Sequence, residues 1–198
     1  MSQAISVDRP RRPPRVTHDR PPMLAIGVMI WLGSELMFFS GLFAAYFTIR
    51  SEHTVWPPTG TQLDTIRAGI FTAVLVSSSF TMQKAVFDEE RRRRLSAKVW
   101  VGMTIFLGAA FLGNQFSEWF FMTTRWTTNS YGSLFFIMSG LHGLHVGLGL
   151  VAMVFLLLRM KGPSGDPGEL SVFQGVSYYW HFVDIIWIGL YSCLFLLK

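Results

Sequence analysis

Five runs of apolar residues divide this chain, and polar residues crowd into the short segments between them. The runs cover roughly 23–49, 66–87, 99–122, 131–158 and 172–197. About 20 residues of helix cross the ~30 Å hydrocarbon core of a bilayer, so each run is long enough to span. In lipid only helices and closed barrels satisfy their own backbone, and these runs are too long and too uniformly apolar for barrel strands. The pattern therefore predicts an all-α fold, a polytopic bundle of five transmembrane helices. The first, fourth and fifth runs exceed the minimum length, which predicts tilt.

Residues 1–22 break the pattern. They hold five prolines and five arginines (Arg9, Arg11, Arg12, Arg15, Arg20) with little to bury, so a disordered tail is expected ahead of a membrane domain from 23 to 198. The apolar run that follows is too long for a signal peptide and carries Glu35, so it reads as a retained helix. Composition fits. The 198 residues are 51% hydrophobic and only 15% charged, where a soluble domain averages about 25% charged. The lone cysteine, Cys193, forms no internal disulfide and leaves no pair for zinc, an iron–sulfur cluster or binuclear copper.

The net charge of +5 is a matter of topology rather than of nucleic acid. The tail arginines, Lys84, Arg91, Arg92, Arg93, Arg94, Lys98, Arg159 and Lys161 all fall on one side of the predicted bundle, against Arg50, Arg67, Arg125 and Lys198 on the other. The positive-inside rule then places the N-terminus in the cytoplasm and the C-terminus outside. The arginine run at 91–94 reads as a solvated loop that anchors helices and meets anionic lipid. Trp56 and Trp126 suit an interfacial aromatic belt, and the Gly/Pro-rich segment 161–169 reads as a loop.

Ionisable groups at membrane depth are costly, about 2.5 to 3.5 kcal/mol each on insertion scales, and this chain keeps several. Glu35 lies well inside the first run, on one stripe with Phe39, Leu42 and Tyr46. Burial disfavours a carboxylate, so the expectation is a neutral acid held by His142 or His145. Both a proton carrier and a helix-to-helix hydrogen bond remain open readings. His142 and His145 stand side by side at i, i+3, next to a small-residue seam of Ser139, Gly143 and Gly147 that would let another helix approach. With His181 they are the membrane region's only histidines, too few for a haem or binuclear centre, so no metal is expected. The bland alternative is that the imidazoles satisfy one another or a carboxyl. In the fifth run Gln174, Ser177, Tyr178, His181 and Asp184 form a polar stripe about a third of the helix wide, and Asn114, Gln115 and Glu118 add polar groups on the third. The simplest arrangement is a buried polar network that fixes the bundle, and a proton conduit is the sharper one.

The same residues carry a resemblance. Ser34-Glu35-Leu36-Met37-Phe38-Phe39-Ser40-Gly41 resembles the glutamate-bearing helix of cytochrome c oxidase subunit III. Gly140-Leu141-His142-Gly143-Leu144-His145-Val146 resembles that family's His-Gly-x-His-Val motif. The run from Tyr178 to Trp187 resembles its Tyr-Trp-His-Phe-Val-Asp motif. Glu118 fits the acidic residue of the intervening helix. The motifs occur in order across most of the chain. Family members of the longer form have seven helices, and this chain is similar to the short bacterial form that lacks the first two, and with them half of a lipid-holding cleft.

The resemblance implies a non-catalytic subunit of a bacterial plasma-membrane oxidase. Such a subunit holds no haem or copper and packs against subunit I, which carries the haems, one copper and the proton routes. Subunit II carries binuclear copper and takes electrons from cytochrome c. Arg159 matches a lipid-headgroup arginine of the family, which makes bound phospholipid a further expectation. A quinol-oxidase counterpart, a relative accompanying a nitric oxide reductase, and a free-standing proton channel using Glu35 and Asp184 are the alternatives.

Overall fold

The computed structural model describes residues 23–58, 64–121, 130–160 and 167–197. They form α1 (Met23–Ser51), α2 (Thr65–Glu90), α3 (Arg94–Phe121), α4 (Ser130–Arg159) and α5 (Pro167–Tyr191), the last running on into a π-helical turn, Ser192–Leu196. No strand occurs among the described residues. Among the described residues five helices are long and apolar enough to cross a membrane, α5 counted with its π turn. The expected five-helix, all-α architecture is therefore the one found. The expectations for residues 1–22, Arg125, Trp126, Lys161 and Lys198 lie outside the described residues.

The helices overrun the apolar runs that announced them. α3 begins at Arg94 and α5 at Pro167, inside the segment expected to be loop. Apolarity marks only the stretch in hydrocarbon, whereas helical hydrogen bonding continues into the interface. Proline at the first helical position costs nothing, since its missing N–H would have had no partner there. Glu169 then sits in the first turn of α5, where a carboxylate complements the helix dipole. It pairs with Arg94 at the start of α3, which also lies 3.5 Å from Glu89. The α2–α3 connection is closed by Asp88, which is buried and accepts from Ser96 Oγ at 2.6 Å.

α2, α3, α4 and α5 form a ring in which each helix packs on the next, and α1 lies outside it, chiefly against α5. Trp180 fills the middle of the ring. The indole is fully buried. It abuts Gly108 of α3 and Gly149 of α4 so closely that a Cβ on either would lie 2.7 and 2.8 Å from it. Its Nε1 donates to Ser78 Oγ of α2 at 2.9 Å. The small residues that let these helices approach are thus Gly108 and Gly149. The predicted seam is only partly used. Ser139 accepts from Trp119 Nε1 at 3.2 Å and Gly143 lies against Leu112, but a Cβ on Gly147 would meet nothing within 4 Å. Gly147 therefore does not pack helices within this chain, because its face of α4 turns outward.

At the end away from the basic turn, terminal carbonyl groups of the π-helical segment, which have no helical partner, take side-chain donors. Tyr46 of α1 donates to the Cys193 carbonyl and Tyr131 of α4 to that of Leu194 at 2.8 Å. Trp56 Nε1 donates in turn to Tyr46 Oη at 3.0 Å. Trp56, expected at the interface, is buried against these two tyrosines.

Gly149→Ala should overpack the indole of Trp180 and cost about 1–3 kcal/mol, whereas Gly147→Ala should be neutral. Thermal unfolding of the detergent-solubilised chain reads both, and equal midpoints would refute the packing described.

Candidate functional site

The ionisable residues at membrane depth fall into two separate sets. The first joins α1 to α4. Glu35 stands one turn before Phe39, and on the antiparallel face of α4 the side chain of His145 meets it, Nε2 to Oε2 at 3.1 Å. The other ring nitrogen, Nδ1, lies 2.7 Å from the carbonyl of Leu141. A carbonyl only accepts, so Nδ1 carries a proton. In the charge-neutral form Nε2 is then the acceptor and Glu35 donates, and a single proton occupies the contact. Phe39 packs edge-on against the imidazole, with ring centroids 5.2 Å apart. Tyr179 of α5 donates to the His145 carbonyl at 2.9 Å and stacks on Trp31 of α1. Three helices thereby fix one acid–imidazole pair.

The second set joins α2 to α5. Ser79 Oγ donates to Asp184, and His181 Nδ1 lies 3.1 Å from the same hydroxyl. Because a hydroxyl has one proton to give, Nδ1 is the donor in that contact. Gln83 Oε1 lies 3.3 Å from His181 Nε2. Sequence reasoning found His181 and Asp184 but missed Ser79 and Gln83. The signal available was the serine triplet 77–79 in the middle of an apolar run.

The remaining expected members do not join either set. His142 is fully buried, stacked on Trp187 at 4.8 Å, and neither ring nitrogen has a hydrogen-bond partner among the described residues. It does not pair with His145 or a carboxyl, because its side of α4 faces the aromatic interior of the ring. Tyr178 is not part of a buried network. It is 46% exposed, since six residues rotate it about 120° from Asp184 and so to the far edge of the predicted stripe. Glu118 is half-buried near the end of α3 and forms no hydrogen bond or ion pair among the described residues. Its neighbours Asn114 and Ser117 instead hold Arg67, each at 2.6 Å. Arg159 is exposed at the end of α4. Among the described residues no group of three or more His, Cys, Asp or Glu side chains is arranged to hold a metal ion.

An apolar groove of about 300 Å³ opens between α1, α4 and α5, floored by Trp31 and Tyr179 and walled by Val28, Ala152 and Val176. Glu35 is one helical turn from Trp31, so the acid–imidazole pair lies just beyond the groove's end. Arg159 is seven residues past Ala152, about two turns further on the same face of α4.

The family model for cytochrome c oxidase subunit III matches residues 17–197. The chain is 45% identical over 184 residues to a probable cytochrome c oxidase subunit 3 of Nocardia farcinica, covering 91% of each chain. It is 42% identical to the probable subunit 3 of Mycobacterium leprae, again over 91% of each. It is 39% identical to the cytochrome c oxidase subunit 3 of Corynebacterium diphtheriae over the full length of both.

Glu35→Gln retains a donor to His145, so stability should hold. Glu35→Ala orphans the imidazole nitrogen at a cost of about 1–3 kcal/mol. Thermal midpoints of the two variants in one detergent check this, and an equal loss in both would show that the acid itself, rather than its hydrogen bond, is what matters.

Proposed function

Because the chain belongs to the cytochrome c oxidase subunit III family, we propose that within the oxidase complex it acts as a non-catalytic support for the redox-carrying subunits. It is a multi-pass membrane protein and a subunit III chain of such a complex. The observation that carries the proposal is the separation of its membrane-depth acids. Glu35–His145 bridges α1 and α4, Ser79–His181–Asp184 bridges α2 and α5, and no hydrogen bond among the described residues connects the two. A conduit needs a continuous chain of donors and acceptors, whereas helix-locking pairs need only local partners.

On this reading the chain holds no redox centre of its own. Haem and copper belong to subunits I and II, cytochrome c is the donor to the complex, and oxygen reduction with proton translocation proceeds in subunit I. The complex lies in a bacterial plasma membrane, as the bacterial sources of the relatives favour. The arginine-rich α2–α3 turn faces the cytoplasm, consistent with the positive-inside rule. The groove between α1, α4 and α5 takes a phospholipid acyl chain, and Arg159 is positioned to meet its headgroup. The isolated chain should show no Soret band and no stoichiometric iron or copper. Arg159→Ala should lower the phospholipid phosphorus that co-purifies with the complex.

Glu35→Gln is the decisive functional variant. In the assembled oxidase, oxygen consumption and proton pumping should stay within about twofold of the parent, as expected of a group outside the proton route. Loss of pumping in a fully assembled Glu35→Gln complex that still consumes oxygen would make Glu35 a proton carrier and end the accessory reading.

A further inference from the structure

A second groove, of about 420 Å³, runs along the outer surface between α3 and α4. Its floor is made by Gly140, Gly143 and Gly147, with Trp119 leaning over one end. Leu144 and Val151 stand exposed along its rim. A line of glycines on a membrane helix lowers the surface enough for another backbone to approach. Gly147 has no such neighbour inside this chain.

The second observation is Gln115, which lines the same groove from α3. The residue is 1% exposed, and its amide nitrogen is buried with no hydrogen-bond partner among the described residues. An amide in hydrocarbon without a partner is costly, so the groove's occupant must offer a polar group at that level. The groove spans positions 140–151 of α4, a helix that runs from Ser130 to Arg159. It therefore lies about the middle of α4, and Gln115 reaches it from six residues short of the end of α3. An acyl chain, the ordinary occupant of an apolar groove in hydrocarbon, has nothing to give an amide.

We propose that the α3–α4 groove is the docking surface for a transmembrane helix of another chain of the oxidase, one presenting small residues to Gly143 and Gly147 and a hydroxyl or amide side chain to Gln115. This rests on the assignment of the chain to an oxidase complex and adds the face by which it is held there. The three glycines set the distance of approach, and Gln115 sets the register, because only one rotation and height of the partner brings its polar group to the amide.

The test uses the whole oxidase purified in mild detergent, with this chain quantified against haem. Gly147→Phe projects a ring into the groove from a position where a Cβ meets nothing of its own chain within 4 Å. It should cut retention by at least about tenfold, while the isolated variant keeps its helix content and thermal midpoint. Gln115→Leu should weaken retention about threefold to tenfold, the range of one interhelical hydrogen bond in a membrane. A benzophenone-bearing side chain at position 147 should crosslink to a hydrophobic span of another oxidase chain. Full retention of Gly147→Phe, or crosslinks to phospholipid alone in an assembled complex, would overturn the docking surface and leave complex membership standing. If the parent chain itself purifies without haem, complex membership fails first and the docking surface falls with it.

Discussion

Everything in the ring turns on the indole of Trp180. It touches the other three ring helices at close range, Gly108 on α3, Gly149 on α4 and Ser78 on α2. In hydrocarbon there is little hydrophobic gain from bringing helices together, since lipid tails are as apolar as leucine. Association rests on close packing and interhelical hydrogen bonds. A large flat ring against two glycines gives the first, and its single N–H gives the second. That placement sets the spacing of α2, α3 and α4 around α5. The positions of Asp184, four residues on, and His181, the next residue, follow from it.

The same device recurs with smaller parts. Trp187 donates to Thr72 of α2 at 2.9 Å while its ring lies on His142, and Trp119 donates to Ser139. Tyr179 donates to the backbone of α4, and Tyr46 and Tyr131 to the π turn that ends α5. Tyrosine and tryptophan suit this role because they bring a large apolar body and one polar handle. A helix that is almost wholly apolar can then be tied to its neighbour at one height and one rotation. The ionisable pairs do the same between α1 and α4 and between α2 and α5. They differ only in that each also contains a titratable proton.

The number and type of helices were legible in the sequence, because a 20-residue apolar run is unambiguous where neither strand nor loop is tolerated. The depth of Glu35, His145, His181 and Asp184 was equally legible, since charge in hydrocarbon demands a partner. Choosing the partners was harder. A helical wheel places residues on one helix but says nothing about the rotation of the next, so His142 and His145 could not be told apart as partners of Glu35. Nor could the glycines be ranked. Gly108, Gly143, Gly147 and Gly149 look alike in the sequence, and only the position of Trp180 shows which of them admit a ring and which face outward.

That distinction also explains how one helix can serve two kinds of neighbour. α4 turns Gly149 and His142 inward to the aromatic core, and it turns Gly140, Gly143 and Gly147 to the α3–α4 groove. A seven-residue step returns to nearly the same face while a two-residue step crosses the helix, so Gly147 and Gly149 stand on different sides although only Leu148 separates them. The inward face was filled by this chain's own tryptophans. The outward face keeps its glycines and an unpartnered amide, which is what a surface looks like when its complement is carried by another chain. A helix divided in this way can pack tightly on its own bundle and still offer a second face to a neighbour.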